Sequence, residues 1–217
     1  MALFAGHRLT CIRGERTVFA DLDFTLESGR ALVLQGPNGS GKSSLLRVMA
    51  GLLRAEGGAL TWDGAAVRDD PEAHGARLHY LGHGNALKQA LSAAENVRFW
   101  AGLQGGGQDV DGWVMAALAR FEIAHLADLP ARFLSAGQSR RLALARLLAA
   151  PAPLWLLDEP ANALDARATA ILADVLSEHQ AGGGMVALAT HARDVPAGVT
   201  NLDLSAYAEE HAGEWAA

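Results

Sequence analysis

The chain has 217 residues, half of them hydrophobic, which predicts one domain with a sizeable core. Its 24 acidic residues outnumber its 18 basic ones, and the formal net charge of -6 disfavours broad nucleic-acid binding, which needs a cationic surface. The single cysteine, Cys11, excludes an internal disulfide and a cysteine zinc cluster.

The predicted secondary structure alternates between strand and helix along the chain. In the first half, the apolar pattern predicts strands over 16–34, a buried strand at Ala31–Gln35 and a helix from Gly41 to about Leu53. It also predicts a strand pair near Ala59–Trp62 with a turn at Asp63-Gly64, and a strand at Arg77–His83. In the second half it predicts helices at 92–102, 109–127, Ser135–Ala149 and 166–180, a turn at Gly105–Gly107, and strands at Leu154–Asp158 and 185–190. Strands alternating with helices predict an α/β fold, and the helical block at about 84–150 predicts an insertion between strands of the sheet.

Neither a membrane span nor a secretory signal is expected. The apolar runs fall short of the roughly 18 to 20 residues needed to cross a bilayer, and residues 1–7 lack the pattern of a signal peptide. A single cysteine also suits a reducing compartment. We therefore expect a cytoplasmic protein that reaches a membrane only through a partner.

The segment GPNGSGKS, residues 36–43, matches the phosphate-binding pattern G-x-x-x-x-G-K-[ST] and lies between an apolar strand and a helix. Glycines let the backbone curl so that its N–H groups converge on phosphate oxygens, and the helix dipole adds partial positive charge there. Lys42 would neutralise the β- and γ-phosphates, and Ser43 would coordinate Mg²⁺. The alternative is an ordinary glycine-rich turn. The residues predicted to bind ATP in this segment are Gly36, Pro37, Asn38, Gly39, Ser40, Gly41, Lys42, Ser43 and Ser44.

A second half of the site is predicted in LWLLDEP, residues 154–160. Asp158 ends an apolar run, as expected of an aspartate that supports Mg²⁺ at the end of a buried strand. Glu159 follows it and would polarise the attacking water, because phosphoryl transfer of this kind depends on positioning and electrostatics. The alternative is a solvated turn at the end of a strand.

These two motifs are joined by LSAGQ at 134–138, NALD at 162–165 and His191. Their order and spacing resemble those of ABC-transporter ATPase subunits over essentially the whole chain, although Ala136 replaces the commoner glycine. More narrowly, YLGHGNALKQALSAAENVRFW, FLSAGQSRRLALARL and LWLLDEP are similar to the ATPase subunits of cytochrome c maturation complexes of Gram-negative bacteria.

The resemblance implies a P-loop NTPase fold of the ABC ATPase type, with a RecA-like core, an antiparallel β portion and an inserted helical subdomain. The chain would be a single ABC ATPase domain over 1–217. Its RecA-like lobe would comprise about 1–83 and 151–217, and its helical subdomain about 84–150.

Ser135 is a good N-cap, and the amides of Ala136 and Gly137 lie at the open end of the following helix, which attracts anions. The resemblance implies that this anion is the γ-phosphate of ATP held by a second copy, so that two copies form a nucleotide-sandwich dimer. The ATP contacts implied across that dimer are Leu134, Ser135, Ala136, Gly137, Gln138 and Asp165. The alternative for Ser135 is a purely structural cap, and Asp165 would also cap the helix at 166–180.

The resemblance also implies roles for three further residues. His191 would contact the γ-phosphate, and otherwise is a structural histidine at the end of a strand. His83 stands where most members place a Mg²⁺-sensing glutamine, and a neutral imidazole can accept a hydrogen bond from metal-bound water. Arg13 stands where an aromatic residue usually stacks on adenine, and its guanidinium plane offers a substitute. Simple core or surface roles remain open for both.

The resemblance also implies integral membrane permease subunits as partners, with residues 84–102 contacting them, at the cytoplasmic face of the bacterial inner membrane. The ATPase would serve c-type cytochrome biogenesis by driving haem export or the release of a haem-loaded periplasmic chaperone. The eight histidines are scattered and form no haem-attachment motif, so no direct haem contact is expected. The alternatives are an ABC ATPase for another cargo, or a soluble ABC ATPase acting on nucleic acid or ribosomes.

Overall fold

The computed structural model describes residues 2–103, 109–190 and 199–207. The strands in these ranges are β1 (Leu3–Arg13), β2 (Arg16–Glu27), β3 (Ala31–Gln35), β4 (Gly57–Trp62), β5 (Ala65–Ala66), β6 (Leu78–Leu81), β7 (Leu154–Asp158), β8 (Met185–Ala189) and β9 (Val199–Asp203). The α-helices are α1 (Lys42–Met49), α2 (Pro71–Ala76), α3 (Ala93–Leu103), α4 (Val110–Arg120), α5 (Ala136–Ala145) and α6 (Ala166–Ala181).

The described strands form two sheets. One is antiparallel, in the order β2-β1-β4-β5, and the other is parallel, in the order β6-β7-β8-β3-β9. Every residue of β7 and β8 is buried, because the parallel sheet is covered on both faces. A strand covered on both faces needs apolar side chains in both directions, which explains the continuous apolar runs of LWLLD and MVALA.

The parallel sheet divides the core into two apolar clusters. Leu154 and Leu156 of β7 face α1 and the antiparallel sheet. Trp155 and Leu157, which alternate with them, face α3, α4, α5 and α6. Side chains on a strand alternate between its faces, so one short strand anchors both halves of the core. The helices α3, α4 and α5 fall within 84–150 and share their cluster with the sheet, and the division into lobe and subdomain stays a prediction.

The predicted strands Ala31–Gln35 and Leu154–Asp158 are present with those bounds, and β4 and β5 pair across Asp63-Gly64. Three predicted helices are too long. The first ends at Met49, before Gly51 with its φ of 70°, and α4 ends at Arg120, before Glu122 with its φ of 59°. Such left-handed residues end helices. The helix predicted over Ser135–Ala149 is α-helical only to Ala145, and a 3₁₀ turn follows at Arg146–Leu148.

The sequence prediction missed β1, α2 and β9. Bulges near Gly6, Leu9 and Cys11 interrupt the alternation of β1, and β9 is a largely exposed strand at the edge of its sheet. The six-residue α2 has a signal that was overlooked, since Asp70 caps it and Pro71 begins it. The predicted turn at 105–107 lies outside the described residues. Within the ranges that are described, no helix is both long and apolar enough to span a bilayer.

Candidate functional site

The predicted site residues lie where parallel strands end at one edge of the sheet. The glycine loop follows β3, the His83 loop follows β6, and Asp158 ends β7. The sheet order places β8 between β7 and β3, so the loop and the acidic pair face each other across one strand. Ligands of open α/β sheets bind beyond these carboxyl ends.

A cavity of about 590 Å³ occupies this edge. The predicted site residues that line it are Arg13, Asn38, Gly39, Gly41, Lys42, Ser43, Ser44, His83, Asp158 and Glu159. Three lining residues were not predicted, namely Arg16, Val18 and Asn162. Of the other predicted residues, Gly36, Pro37 and Ser40 belong to the loop without lining the cavity, and His191 lies outside the described residues.

The glycine loop has a backbone that only glycine adopts readily. Gly36, Gly39 and Gly41 have φ values of 134°, 82° and 99°. A Cβ atom on Gly41 would lie 2.5 Å from Cγ1 of Val18, so this glycine is required by both conformation and space. Gly41 also precedes α1 without a side-chain cap, which leaves backbone N–H groups available to an anion.

Lys42 is held in place by the loop that it belongs to. Its side chain is buried, and its Nζ donates hydrogen bonds to the carbonyl oxygens of Gly36 at 2.8 Å and Pro37 at 3.0 Å. An ammonium group has three N–H donors, so one remains for a phosphate oxygen in the cavity. The positive charge of Lys42 is therefore in place before a ligand binds.

The acidic pair has two distinct environments. Asp158 is buried at the end of β7, while Glu159 bends away from the strand with a φ of 49°. The Glu159 amide donates to the carbonyl of Ala189 at 2.9 Å, which ties the bend to the end of β8. Left-handed backbone at a non-glycine residue persists only where its surroundings enforce it, and it is concentrated at functional sites.

The donor set fits Mg²⁺. The Ser43 hydroxyl and the Asp158 carboxylate are hard oxygen ligands, and both residues line the same cavity as Lys42. His83 is exposed and lines this cavity too, while Gln89, the glutamine nearest in sequence, is not among its lining residues. The metal roles of Ser43, Asp158 and His83 and the adenine contact of Arg13 stay predictions.

The segment Leu134–Gln138 lies apart from the cavity and begins α5. Ser135 and Gln138 form a reciprocal capping box, in which Ser135 Oγ accepts from the Gln138 amide at 3.2 Å and Gln138 Oε1 accepts from the Ser135 amide at 2.9 Å. Ser135 and Ala136 are exposed. The structural cap predicted for Ser135 is therefore present, and its ATP contact with a second copy stays a prediction.

Asp165 caps α6, as the alternative interpretation predicted. Its Oδ1 accepts from the Ala168 amide at 2.8 Å, and its Oδ2 accepts from Arg141 Nη2 at 2.5 Å. The Ala168 hydrogen bond, followed by the charge of Arg141, lowers the pKa of this carboxyl. A contact of Asp165 across a dimer stays a prediction.

The fold and the cavity define the class of this protein. A parallel sheet, a glycine loop that precedes a helix, and an acidic pair at a strand end one strand away are the features of a P-loop protein with a site suited to a nucleoside triphosphate.

Comparisons with known proteins narrow this class. The model of a family described as ABC transporter matches residues 19–162. A cytochrome c biogenesis ATP-binding export protein CcmA from Paramagnetospirillum magneticum is 57% identical over 210 residues, covering 94% of this chain and 95% of that protein. Its counterpart from Rhodospirillum rubrum is 55% identical over 209 residues, covering 96% and 88%. The chain therefore belongs to the ABC transporter family, in the group that these CcmA proteins form, and the predicted resemblance is confirmed.

Solved structures agree with this fold. An ATP-binding subunit of an ABC transporter matches with a TM-score of 0.81 and 25% identity, covering 87% of this chain and 79% of that one. A putative ABC transporter ATP-binding protein from Pyrococcus furiosus matches with a TM-score of 0.82 and 23% identity, covering 95% and 99%. The predicted fold class, α/β of the ABC ATPase type, is confirmed.

Proposed function

We propose that this protein is the ATP-binding and ATP-hydrolysing subunit of an ABC transporter complex in c-type cytochrome biogenesis. The observation that carries the proposal is the single cavity that Lys42, Asp158 and Glu159 share at the sheet edge. The names of the CcmA relatives support the pathway, because they combine ATP binding with cytochrome c biogenesis and export.

The residues around the cavity suggest how the reaction proceeds. Loop amides and Lys42 would hold the phosphates, and Ser43 and Asp158 would hold Mg²⁺, which would offset phosphate charge. Glu159 orients a water molecule whose oxygen attacks the γ-phosphorus. The bond from that phosphorus to the β–γ bridging oxygen breaks, giving ADP and inorganic phosphate. No covalent enzyme intermediate is needed.

Two copies would act together. Ser135 and Ala136 are exposed, and the amides of Ala136 and Gly137 stand at the open N-terminus of α5, away from the cavity of the same chain, where a second copy can present its ATP. The helix dipole contributes about 0.3 to 1 kcal/mol, which is too little to join two proteins. Several charge-assisted hydrogen bonds of roughly 1.5 to 3 kcal/mol each are sufficient, so ATP would hold the dimer together until it is hydrolysed.

The helical region offers a surface for membrane subunits. Phe99 is 37% exposed on α3, and the Lys88 ammonium lies 4.3 Å from its ring centroid. This apolar and cationic surface supports the proposal that residues 84–102 contact integral permease subunits at the cytoplasmic face of the inner membrane. The complex would couple hydrolysis to haem export or to the release of a haem-loaded periplasmic chaperone, without haem binding by this subunit.

Glu159→Gln tests the proposal in the complex purified from membranes. We expect retained ATP binding, turnover reduced at least 100-fold because the water is no longer polarised, and a trapped dimer visible by light scattering. Co-purifying subunits, identified by mass spectrometry, should belong to cytochrome c maturation. Wild-type turnover by the variant would contradict the role of Glu159. Another permease would indicate another cargo, and co-purifying ribosomes would indicate a non-transport ATPase.

A further inference from the structure

Arg140 is a buried arginine whose hydrogen-bonding capacity is fully used. It lies on α5, two residues after Gln138, and is 3% exposed. Its guanidinium makes five hydrogen bonds, with acceptors on the acidic turn and on the His83 loop. Arginine has five N–H donors, so each donor has one acceptor.

Three of these bonds hold the acidic turn by its backbone. Arg140 Nη2 donates to the carbonyl oxygens of Asp158 at 3.0 Å and Glu159 at 2.6 Å, and Nε donates to that of Pro160 at 3.0 Å. These carbonyls surround the one residue of the turn that has a φ of 49°. A conformation of this kind needs surroundings that over-determine it, and the guanidinium provides them on the carbonyl side.

The other two bonds hold the loop after β6. Arg140 Nη1 donates to the carbonyl of Gly82 at 3.3 Å and to Oδ1 of Asn85 at 3.1 Å. These residues flank His83, which lines the cavity. One side chain therefore sets the distance between the acidic turn and the His83 loop, and fastens both to the helix that begins with the LSAGQ segment.

We propose that Arg140 is a positioning residue for ATP hydrolysis, which keeps Glu159 oriented toward the cavity and ties that orientation to the first turn of α5. This inference rests on the proposed function, because it assigns Arg140 an effect on turnover that acts through Glu159. Four of the five hydrogen bonds of Arg140 go to backbone carbonyls and one goes to the Asn85 side chain, and Arg140 does not line the cavity. Its loss should therefore lower kcat and leave ATP binding intact.

Charge and geometry both favour arginine at this position. Burial lowers the pKa of the Arg140 guanidinium, and the negative charges of Asp158 and Glu159 oppose this effect. A lysine has three N–H donors on one nitrogen, so it cannot bond all the acceptors that the planar guanidinium reaches through three nitrogens. Arg140→Lys should therefore keep the positive charge but hold Glu159 in position only in part.

Arg146 provides a matched control. It lies just after α5 and is 8% exposed, and its Nη1 donates to the carbonyl of Asn85 at 2.8 Å, while its guanidinium lies 3.9 Å from the ring centroid of Trp100. None of these contacts is with the acidic turn. Removing its guanidinium also removes a buried charge near the His83 loop, but leaves Glu159 held.

The experiment compares Arg140→Met, Arg140→Lys and Arg146→Met in the membrane-purified complex, at a temperature where melting curves show each variant to be folded. For Arg140→Met we expect kcat to fall about 10- to 100-fold, since small misplacements of reacting groups have effects of this size, with KM and the Kd of a fluorescent ATP analogue within threefold of wild type. Arg140→Lys should have an intermediate kcat, and Arg146→Met should stay within twofold of wild type.

A kcat for Arg140→Met equal to that of Arg146→Met would overturn the inference, as would a raised KM with an unchanged kcat. If Arg140→Met does not fold, the same criteria apply to Arg140→Lys. Glu159→Gln, measured in parallel, separates the two proposals. Loss of turnover in Glu159→Gln beside a fully active Arg140→Met refutes the positioning role alone. Full activity of Glu159→Gln refutes the role of Glu159, and a wild-type complex without ATP turnover refutes the proposed function.

Discussion

Lys42 illustrates how much of this site is set by single residues. Its ammonium is buried under the loop and is bound to two carbonyls of that loop, so a side chain without charge would leave both acceptors without this donor. Charge-assisted hydrogen bonds contribute roughly 1.5 to 3 kcal/mol each, so the phosphate contact predicted for Lys42 would supply a large share of the affinity for ATP.

We therefore expect Lys42→Ala to raise the Kd for ATP by about 10- to 100-fold, because each 1.4 kcal/mol corresponds to a factor of about 10. Isothermal titration with ATP and Mg²⁺ measures this change. Arg30→Ala removes a positive charge from an exposed position, and its Kd should match wild type. An unchanged Kd for Lys42→Ala would contradict the prediction that the glycine loop and Lys42 bind the phosphates of ATP.

At the scale of elements, the N-caps of α4 and α5 have similar geometry but are proposed to differ in function. Ser135 caps α5 and Asp109 caps α4, each by accepting a hydrogen bond from the amide three residues later. Both caps stabilise their helices by about 1 kcal/mol. Of these two caps, only that of α5 belongs to the segment proposed to contact ATP bound to the second copy.

Ser135→Ala and Asp109→Ala should therefore cost similar stability and differ in activity. We expect both to lower Tm by about 2 to 4 °C. Ser135→Ala should also lower ATP turnover of the assembled complex about tenfold, the size of one lost charge-assisted hydrogen bond, while Asp109→Ala should not. Calorimetry and a phosphate-release assay give the two readings, and equal activities would show that Ser135 is a structural cap alone.

At the scale of the whole molecule, a histidine–tryptophan stack joins α6 to the parallel sheet. The rings of His179 and Trp155 are stacked 3.7 Å apart with 5° between their planes. Burial, and to a smaller extent the charge of His79, lowers the pKa of His179 to about 4. Backbone hydrogen bonds with Met185 and Pro153 raise this pKa and offset only part of the decrease. The folded chain therefore favours the neutral ring, whereas the unfolded chain titrates near 6.5.

Between pH 6.5 and pH 4 the unfolded state binds more protons at this site than the folded state does. Stability is thus fully present above pH 6.5 and falls as the pH falls through this window. We expect the Tm difference between pH 7 and pH 5 to be roughly 2 to 5 °C smaller in His179→Phe, which keeps a ring against Trp155. An identical pH dependence in the two proteins would show that His179 does not titrate on unfolding.

Prediction from sequence succeeded where a feature depends on neighbouring residues. The glycine loop and the strand before Asp158 are contiguous segments whose patterns indicate both their conformation and their place on the sheet. The length of α4 was overestimated because its apolar pattern continues past Glu122, whose left-handed backbone is not visible in that pattern. The strand β1 was missed because bulges break its alternation.

No local sequence pattern indicated the role proposed for Arg140. Its acceptors lie between 18 and 58 residues away in sequence, on the turn after β7 and the loop after β6. Two consecutive arginines before an apolar stretch were visible, but their partners were not, and Arg141 contacts Asp165 instead. Only a folded chain shows which of the two arginines reaches the acidic turn.

By itself, the sequence determined the glycine loop, the acidic pair and the family of this protein, because a loop whose amides can converge on a phosphate is encoded in a short continuous segment. The tertiary structure decided which strand ends meet. The order β6-β7-β8-β3-β9 brings His83, Asp158 and the glycine loop to one cavity, and Arg140 holds the acidic turn and the His83 loop together there. Such contacts depend on how distant segments pack against one another, which no local pattern records.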